Sequence, residues 1–116
     1  MNKSILLWPL GVLCLASCIR QPQMEGQWMQ PVPGLPHLQQ GFILGADGKA
    51  ESVDMSTLRY ETWHRQGDTL VLTGQSIGNH QTVSFSDTLR IHSLTADSLV
   101  LQKRNLRMEF TRKMNQ

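Results

Sequence analysis

Cysteine is nearly absent: Cys14 and Cys18 are the only two in 116 residues, and both lie within the first eighteen positions. No disulfide framework is available to the rest of the chain, and neither is a zinc site built on cysteines. An excess of one charge is also lacking. Eleven Lys and Arg face nine Asp and Glu, a formal net charge of +2, which excludes the strongly basic surface of a dedicated nucleic-acid binder. The longest apolar run, 5–15, falls short of the roughly 20 residues that span a bilayer as a helix. Beyond residue 24 no stretch repeats with helical periodicity. Aromatic residues make up only 6% of the chain, so a domain of this size must bury most of them to fold.

The first eighteen residues have an order of their own. Lys3 supplies a positive start, 5–15 is an apolar segment, and Pro9 and Gly11 inside it disfavour a stable core helix. This is the layout of a cleavable export signal. Leu15-Ala16-Ser17-Cys18 resembles the lipobox of bacterial lipoproteins, in which small residues admit the peptidase and the cysteine thiol accepts a diacylglycerol. The expected division is a signal peptide at 1–17, a lipid-bearing tether at 18–23 and a folded domain at 24–116. Cleavage removes Cys14, and lipid blocks Cys18. Two or three acyl chains, at about 0.8 kcal/mol per buried methylene, hold such a protein stably on a membrane. No aspartate or acidic run follows Cys18, so the expected location is the outer membrane, facing the periplasm.

From Met24 onward, short runs rich in Val, Ile, Thr, Phe, Trp and Leu alternate with turn signals every 8–12 residues, the spacing of an all-β sandwich or barrel. Strands are expected at 24–30, 41–44, 49–53, 60–66, 69–76 and 82–92, with a seventh around Leu99 and Leu101 and an eighth at 106–112. The segment holding Pro31, Pro33, Gly34 and Pro36 is expected to be a loop outside the sheet, because proline lacks a ladder donor. Ala46-Asp47-Gly48 has a hairpin signature, and Asp54 heads a short turn at 54–58. In the sixth strand Val83, Phe85, Leu89 and Ile91 share one face, with Asp87 the polar exception. In the eighth, Leu106, Met108 and Phe110 alternate against Arg107, Glu109 and Arg112. Eight antiparallel strands in about 95 residues predict a small up-and-down barrel, since closure removes exposed edges.

Gly26-Gln27-Trp28 resembles the G-x-W signature of lipocalins. Pro33-Gly34, Gln40-Gly41-Phe42, Asp47-Gly48, Met55-x-Thr57-Leu58-x-Tyr60, Trp63, Ser76-Ile77-Gly78-Asn79 and Asp87-Thr88-Leu89 follow in order. Together they resemble the lipocalin-like lipoproteins of Bacteroidetes. The resemblance implies a calycin-type, lipocalin-like barrel and an envelope lipoprotein, and it carries over no catalytic residue.

The candidate ligand-binding residues are Trp28, Phe42, Met55, Tyr60, Trp63, Asn79 and His80. Trp28 is the expected plug. Trp63 is the expected cavity residue, because the alternation Glu61, Trp63, Arg65 suits a barrel mouth. Asn79 and His80 occupy a turn whose glycine and asparagine are explained by positive φ alone. Ser76, His80 and Asp87 have the residue types of a hydrolase triad but no nucleophile elbow or oxyanion hole, so no enzyme is expected. His37, His64, His80 and His92 offer no paired spacing for a metal, and no cofactor is expected. The basic C-terminal hairpin, Lys103-Arg104, Arg107 and Arg112-Lys113, reads first as a solvated sheet face and second as a contact for anionic lipid. Two functions remain open. One is a cup for a small apolar or amphipathic ligand. The other is a filled barrel acting through its outside on an envelope protein, for which 31–40 and 76–81 are the expected protruding loops.

Overall fold

The computed structural model describes residues 22–113. The leader at 1–17, the acceptor Cys18 and most of the 18–23 tether lie outside the described residues. Eight strands run in chain order: β1 (Gly26–Val32), β2 (Leu35–Leu44), β3 (Ala50–Val53), β4 (Leu58–Gln66), β5 (Thr69–Gly78), β6 (Gln81–Leu94), β7 (Ser98–Lys103) and β8 (Leu106–Lys113). They form one antiparallel sheet in the order β3-β2-β1-β8-β7-β6-β5-β4, the up-and-down meander expected from the turn spacing. The sheet curls until β3 meets β4, where the ladder is reduced to one bridge, Lys49 to Thr62. The Ser52 hydroxyl stitches the seam further along. It accepts from the Tyr60 N–H at 2.9 Å and donates to the Leu58 carbonyl at 2.7 Å. The barrel is nearly closed, and a side chain satisfies backbone groups that a ladder would otherwise pair.

The meander gives the barrel two unlike poles. One gathers the N-terminal segment, the turns after β2, β4 and β6, and the end of β8; the other gathers the turns after β1, β3, β5 and β7. The apolar inward residues are buried toward the first pole. Trp28, Leu44, Leu70, Leu72, Leu99 and Leu101 are essentially inaccessible there, with Met24, Phe42, Ala50, Leu89, Ile91 and Phe110 packed around them. Each fully buried Leu contributes on the order of 1.5–3 kcal/mol, so this half holds the fold together.

Trp28 seals that pole. Its indole Nε1–H donates to the Met24 carbonyl at 2.8 Å, and the Arg112 guanidinium lies over its ring, 4.2 Å from the centroid. Arg112 also donates to the carbonyls of Ala96, Glu25 and Gln23 at 2.6–2.7 Å. One side chain thus ties the N-terminal segment to the β6–β7 turn. The sequence pattern had set Arg112 outward, opposite Phe110. Instead it continues the inner face of Leu106, Met108 and Phe110, because Trp28 pairs directly with Arg112 in the β1–β8 register. Arg112→Met is expected to cost about 2 kcal/mol, from three backbone carbonyls left without their donor and a lost cation–π contact. Urea denaturation checks this.

The proline-rich segment is not a loop. Pro31 pairs with Gln39, Val32 pairs with Leu35, and a two-residue Pro33-Gly34 turn joins the strands with Gly34 at φ 82°, the type II arrangement of proline then glycine. The prolines are tolerated because each lies where one edge is free. β8 pairs only with Gln27–Met29 of β1, and β3 only with Gly41–Leu44 of β2, leaving no ladder donor to be missed at Pro31 or Pro36. The β1–β2 hairpin therefore projects beyond the barrel wall. β6 projects likewise, since β7 pairs with it only from Arg90 to Leu94.

A β-bulge corrects the expected faces of β4. The register slips between Tyr60 and Thr62, making Glu61 the extra, exposed residue. Tyr60 pairs with Gly74 and Trp63 with Leu72, so both point inward although they are three residues apart. A Cβ at position 74 would overlap the Arg59 carbonyl, so glycine is required where the bulged strand approaches.

Candidate functional site

Above the packed half, the same inward faces continue but their side chains become exposed. On β6 the register carries Leu89, Asp87, Phe85 and Val83 along one face toward the open pole, and Val83 is 57% exposed. On β8 the sequence is Phe110, Met108, Leu106, with Leu106 61% exposed, and on β2 it is Phe42 then Gln40. Of the four exposed large apolar side chains among the described residues, Val83 and Leu106 lie on the inner wall of the open pole, and Leu35 and Leu38 lie on the adjoining β1–β2 hairpin, where the register shifts between Pro31 and Val32. The inner wall is therefore apolar and exposed toward one pole and sealed by Trp28 and Arg112 at the other.

Aromatic rings lie between the packed and the exposed halves. Phe42 meets Phe110 with centroids 4.9 Å apart and Tyr60 edge-on at 5.8 Å, and Tyr60 meets Phe85 at 5.9 Å. Tilted and edge-on pairs of this kind are the favoured aromatic geometries. At the same level the Lys103 ammonium contacts Asp87 at 2.5 Å. Burial first, and the nearby Asp87 carboxylate second, raise the Tyr60 pKa above its ordinary value of about 10. Tyr60 is the only tyrosine, so absorbance at 295 nm is expected to show one transition, with a midpoint above 10 that Asp87→Asn lowers in part. Because the folded value is raised, the associated stability is fully present below about pH 10 and is lost as pH rises through the folded value.

The residues singled out from sequence do not all gather in one place. Tyr60 and Phe42 both lie in that aromatic layer. Met55, in the β3–β4 turn, joins Tyr60, Ser52 and Leu58 in lining a cleft of about 480 Å³ beside the seam. Asn79 and His80 form the β5–β6 turn at the rim, both exposed and with φ of 49° and 63°. Trp28 is wholly buried at the sealed pole. Trp63, expected at the mouth, is also at the sealed end, where its Nε1–H donates to the Gly45 carbonyl at 2.8 Å and its backbone N–H to Gly48. The Glu61 bulge puts one of the two charges outside, while Arg65, opposite Leu70, keeps Trp63's face but lies at the sealed end beside the β4–β5 turn. Sequence reasoning missed Val83, Leu106 and Lys103. A readable signal existed for the first two, which sit at the turn ends of strands whose other inward residues are core. As for the triad types, the contact of Asp87 is Lys103, and His80 lies at the rim. Among the described residues, no three His, Cys, Asp or Glu side chains cluster to hold a metal.

An eight-stranded meander barrel with a tryptophan-sealed base and an open apolar half defines a calycin-type class. A family model described as lipocalin-like matches residues 20–113, and the chain belongs to that lipocalin-like family. It is similar to a lipocalin-like protein from Bacteroides thetaiotaomicron of known crystal structure, with 45% sequence identity, a TM-score of 0.75, and coverage of 81% of this chain and 100% of the other. Comparison with curated proteins finds no match.

Proposed function

We propose that this protein is an envelope lipoprotein, tethered through Cys18 to the outer membrane on its periplasmic side, whose cup binds a small apolar or amphipathic ligand. The observation that carries the reading is the placement of Val83 and Leu106, each more than half exposed, on the inner wall above an aromatic floor. Exposed apolar surface gathered in a concavity, with a few polar groups beside it, is the usual composition of a ligand site. The lipocalin-like fold commonly binds small hydrophobic ligands, which supports the same conclusion. The acyl tether supplies attachment, and no reaction is assigned to the barrel.

The tether and the mouth lie at opposite poles. Residues 18–24 reach at most about 20 Å when extended, and they enter the sealed pole at Met24. The mouth therefore faces away from the anchoring membrane and takes its ligand from the space beyond it.

Native mass spectrometry of the protein purified from its own envelope tests this reading. The expected result is a noncovalent adduct of small-molecule mass, released by solvent extraction and restored by titration. Ligand-free protein that takes up no apolar dye would overturn it. A second reading, action through the outer surface on an envelope protein, draws on the projecting β1–β2 hairpin with its exposed Leu35. It gains if membrane pull-down yields a stoichiometric protein partner lost on Leu35→Asp.

A further inference from the structure

We propose that the ligand is an amphipathic anion, with its charged end on Lys103 and its apolar part along Leu106, Met108, Val83 and Phe85; this rests on the cup reading above. The register places two charged side chains on the inner wall of the open half, Asp87 and Lys103. They are not equally available. Lys103 is 46% exposed and Asp87 28%. Asp87 lies lower, between Leu89 and Phe85 on β6 and opposite Leu72 of β5. The ammonium has three donors, and Asp87 accepts one of them, so Lys103 retains the capacity to meet a second anion.

The lip beside Lys103 favours the same charge. The β7–β8 turn carries Arg104, exposed at the lip, and Arg107 follows it on the outer face. The acid of that hairpin, Glu109, is on the opposite face from Met108 and further from the turn. Because β7 and β8 are short, this lip sits below the projecting β1–β2 and β5–β6 hairpins and forms the low side of the mouth. An open cleft of about 460 Å³ there is lined by Lys103, Arg104, Asn105 and Leu106. It sets cations directly against the most exposed apolar side chain of the wall. An approaching anion meets an attractive field, then a charge-assisted hydrogen bond from Lys103, while its chain covers Leu106 and Val83. A cationic amphiphile meets Arg104 and Lys103 before it reaches Asp87. A neutral one gains only the apolar contacts.

Matched ten-carbon amphiphiles test the charge preference. The buried core of the described residues runs from Met24 to Phe110, so the barrel is used lacking residues 1–18. Decanoate, decyl phosphate, decanol and decyltrimethylammonium compete at pH 7.5 for a bound polarity-sensitive dye. Decanoate or decyl phosphate is expected to displace the dye at least about tenfold more effectively than decanol, and the ratio between the two anions tells carboxylate from phosphate. Lys103→Met is expected to erase the preference, also when combined with Asp87→Asn, which removes the carboxylate that the ammonium otherwise pairs. The variant should keep its melting temperature nearly intact, since a half-exposed ion pair contributes little. Equal displacement by all four compounds, or a preference that survives Lys103→Met, would overturn the charge assignment while leaving the cup. Failure of every amphiphile to bind would remove the cup reading itself.

Discussion

Trp28→Ala is expected to destabilise the barrel by about 3–5 kcal/mol, in the range of large-to-small changes of buried aromatic residues. Three losses coincide at this position. The indole is fully buried against the core, its N–H satisfies the Met24 carbonyl, and its ring supports Arg112, which itself binds three carbonyls of the closing segments. Small domains have only about 5–15 kcal/mol in total, so thermal melting by circular dichroism should drop by more than about 12 °C. Trp28→Phe retains most of the apolar volume and loses the hydrogen bond, so its cost should be smaller, about 1–3 kcal/mol. If Trp28→Ala melted within a few degrees of the parent, the base of the barrel would not be sealed as described.

The second large effect separates binding from stability. Val83→Asp combined with Leu106→Asp is expected to lower affinity for an apolar dye or a co-purified ligand more than about tenfold, since each exposed apolar side chain covered by ligand is worth on the order of 1 kcal/mol or more. The same double variant should melt within a few degrees of the parent, because both positions are more than half exposed without ligand and surface substitutions cost little. The contrast with Trp28→Ala is the informative part. One end of the inner wall serves packing, and the other serves binding. A double variant that unfolds, or that binds unchanged, contradicts that division.

Much of the architecture is legible in the alternation of side chains. Leu70 and Leu72, Leu89 and Ile91, and Leu99 and Leu101 lie two apart and are buried together, and the turns between their strands carry ordinary turn residues. Three features were hidden for different physical reasons. The Glu61 bulge adds a residue without changing composition, so a strict period of two puts Glu61 rather than Tyr60 on the face of Trp63. Pro31 and Pro36 look like loop residues until the lengths of β8 and β3 are known, because proline is excluded only from a strand paired on both sides. Arg112 lies far along the chain from the Gly26-Gln27-Trp28 signature it completes, and only the β1–β8 register brings them together. Its position in the alternation Leu106, Met108, Phe110 was nonetheless a clue that it points inward.

The candidate site was less legible than the fold. Tyr60 and Phe42 were recognisable as large side chains of the right strands, but an apolar residue in a strand reads the same whether it fills a core or lines a cup. What distinguishes Val83 from Leu89 is distance from the sealed pole, which depends on how far β6 outruns β7. Asp87 stood out as a polar interruption, and its ion-pair partner Lys103, sixteen residues on, was masked by reading the C-terminal hairpin as a uniformly solvated basic face.

Methyl-resolved nuclear magnetic resonance during titration with decanoate addresses the cup most directly. Shifts are expected at Val83, Leu106 and Met108, with Leu70, Leu72 and Leu99 nearly still. Perturbations confined to the outer faces of the strands, spread evenly through the sealed half, or missing altogether would contradict an open apolar cup.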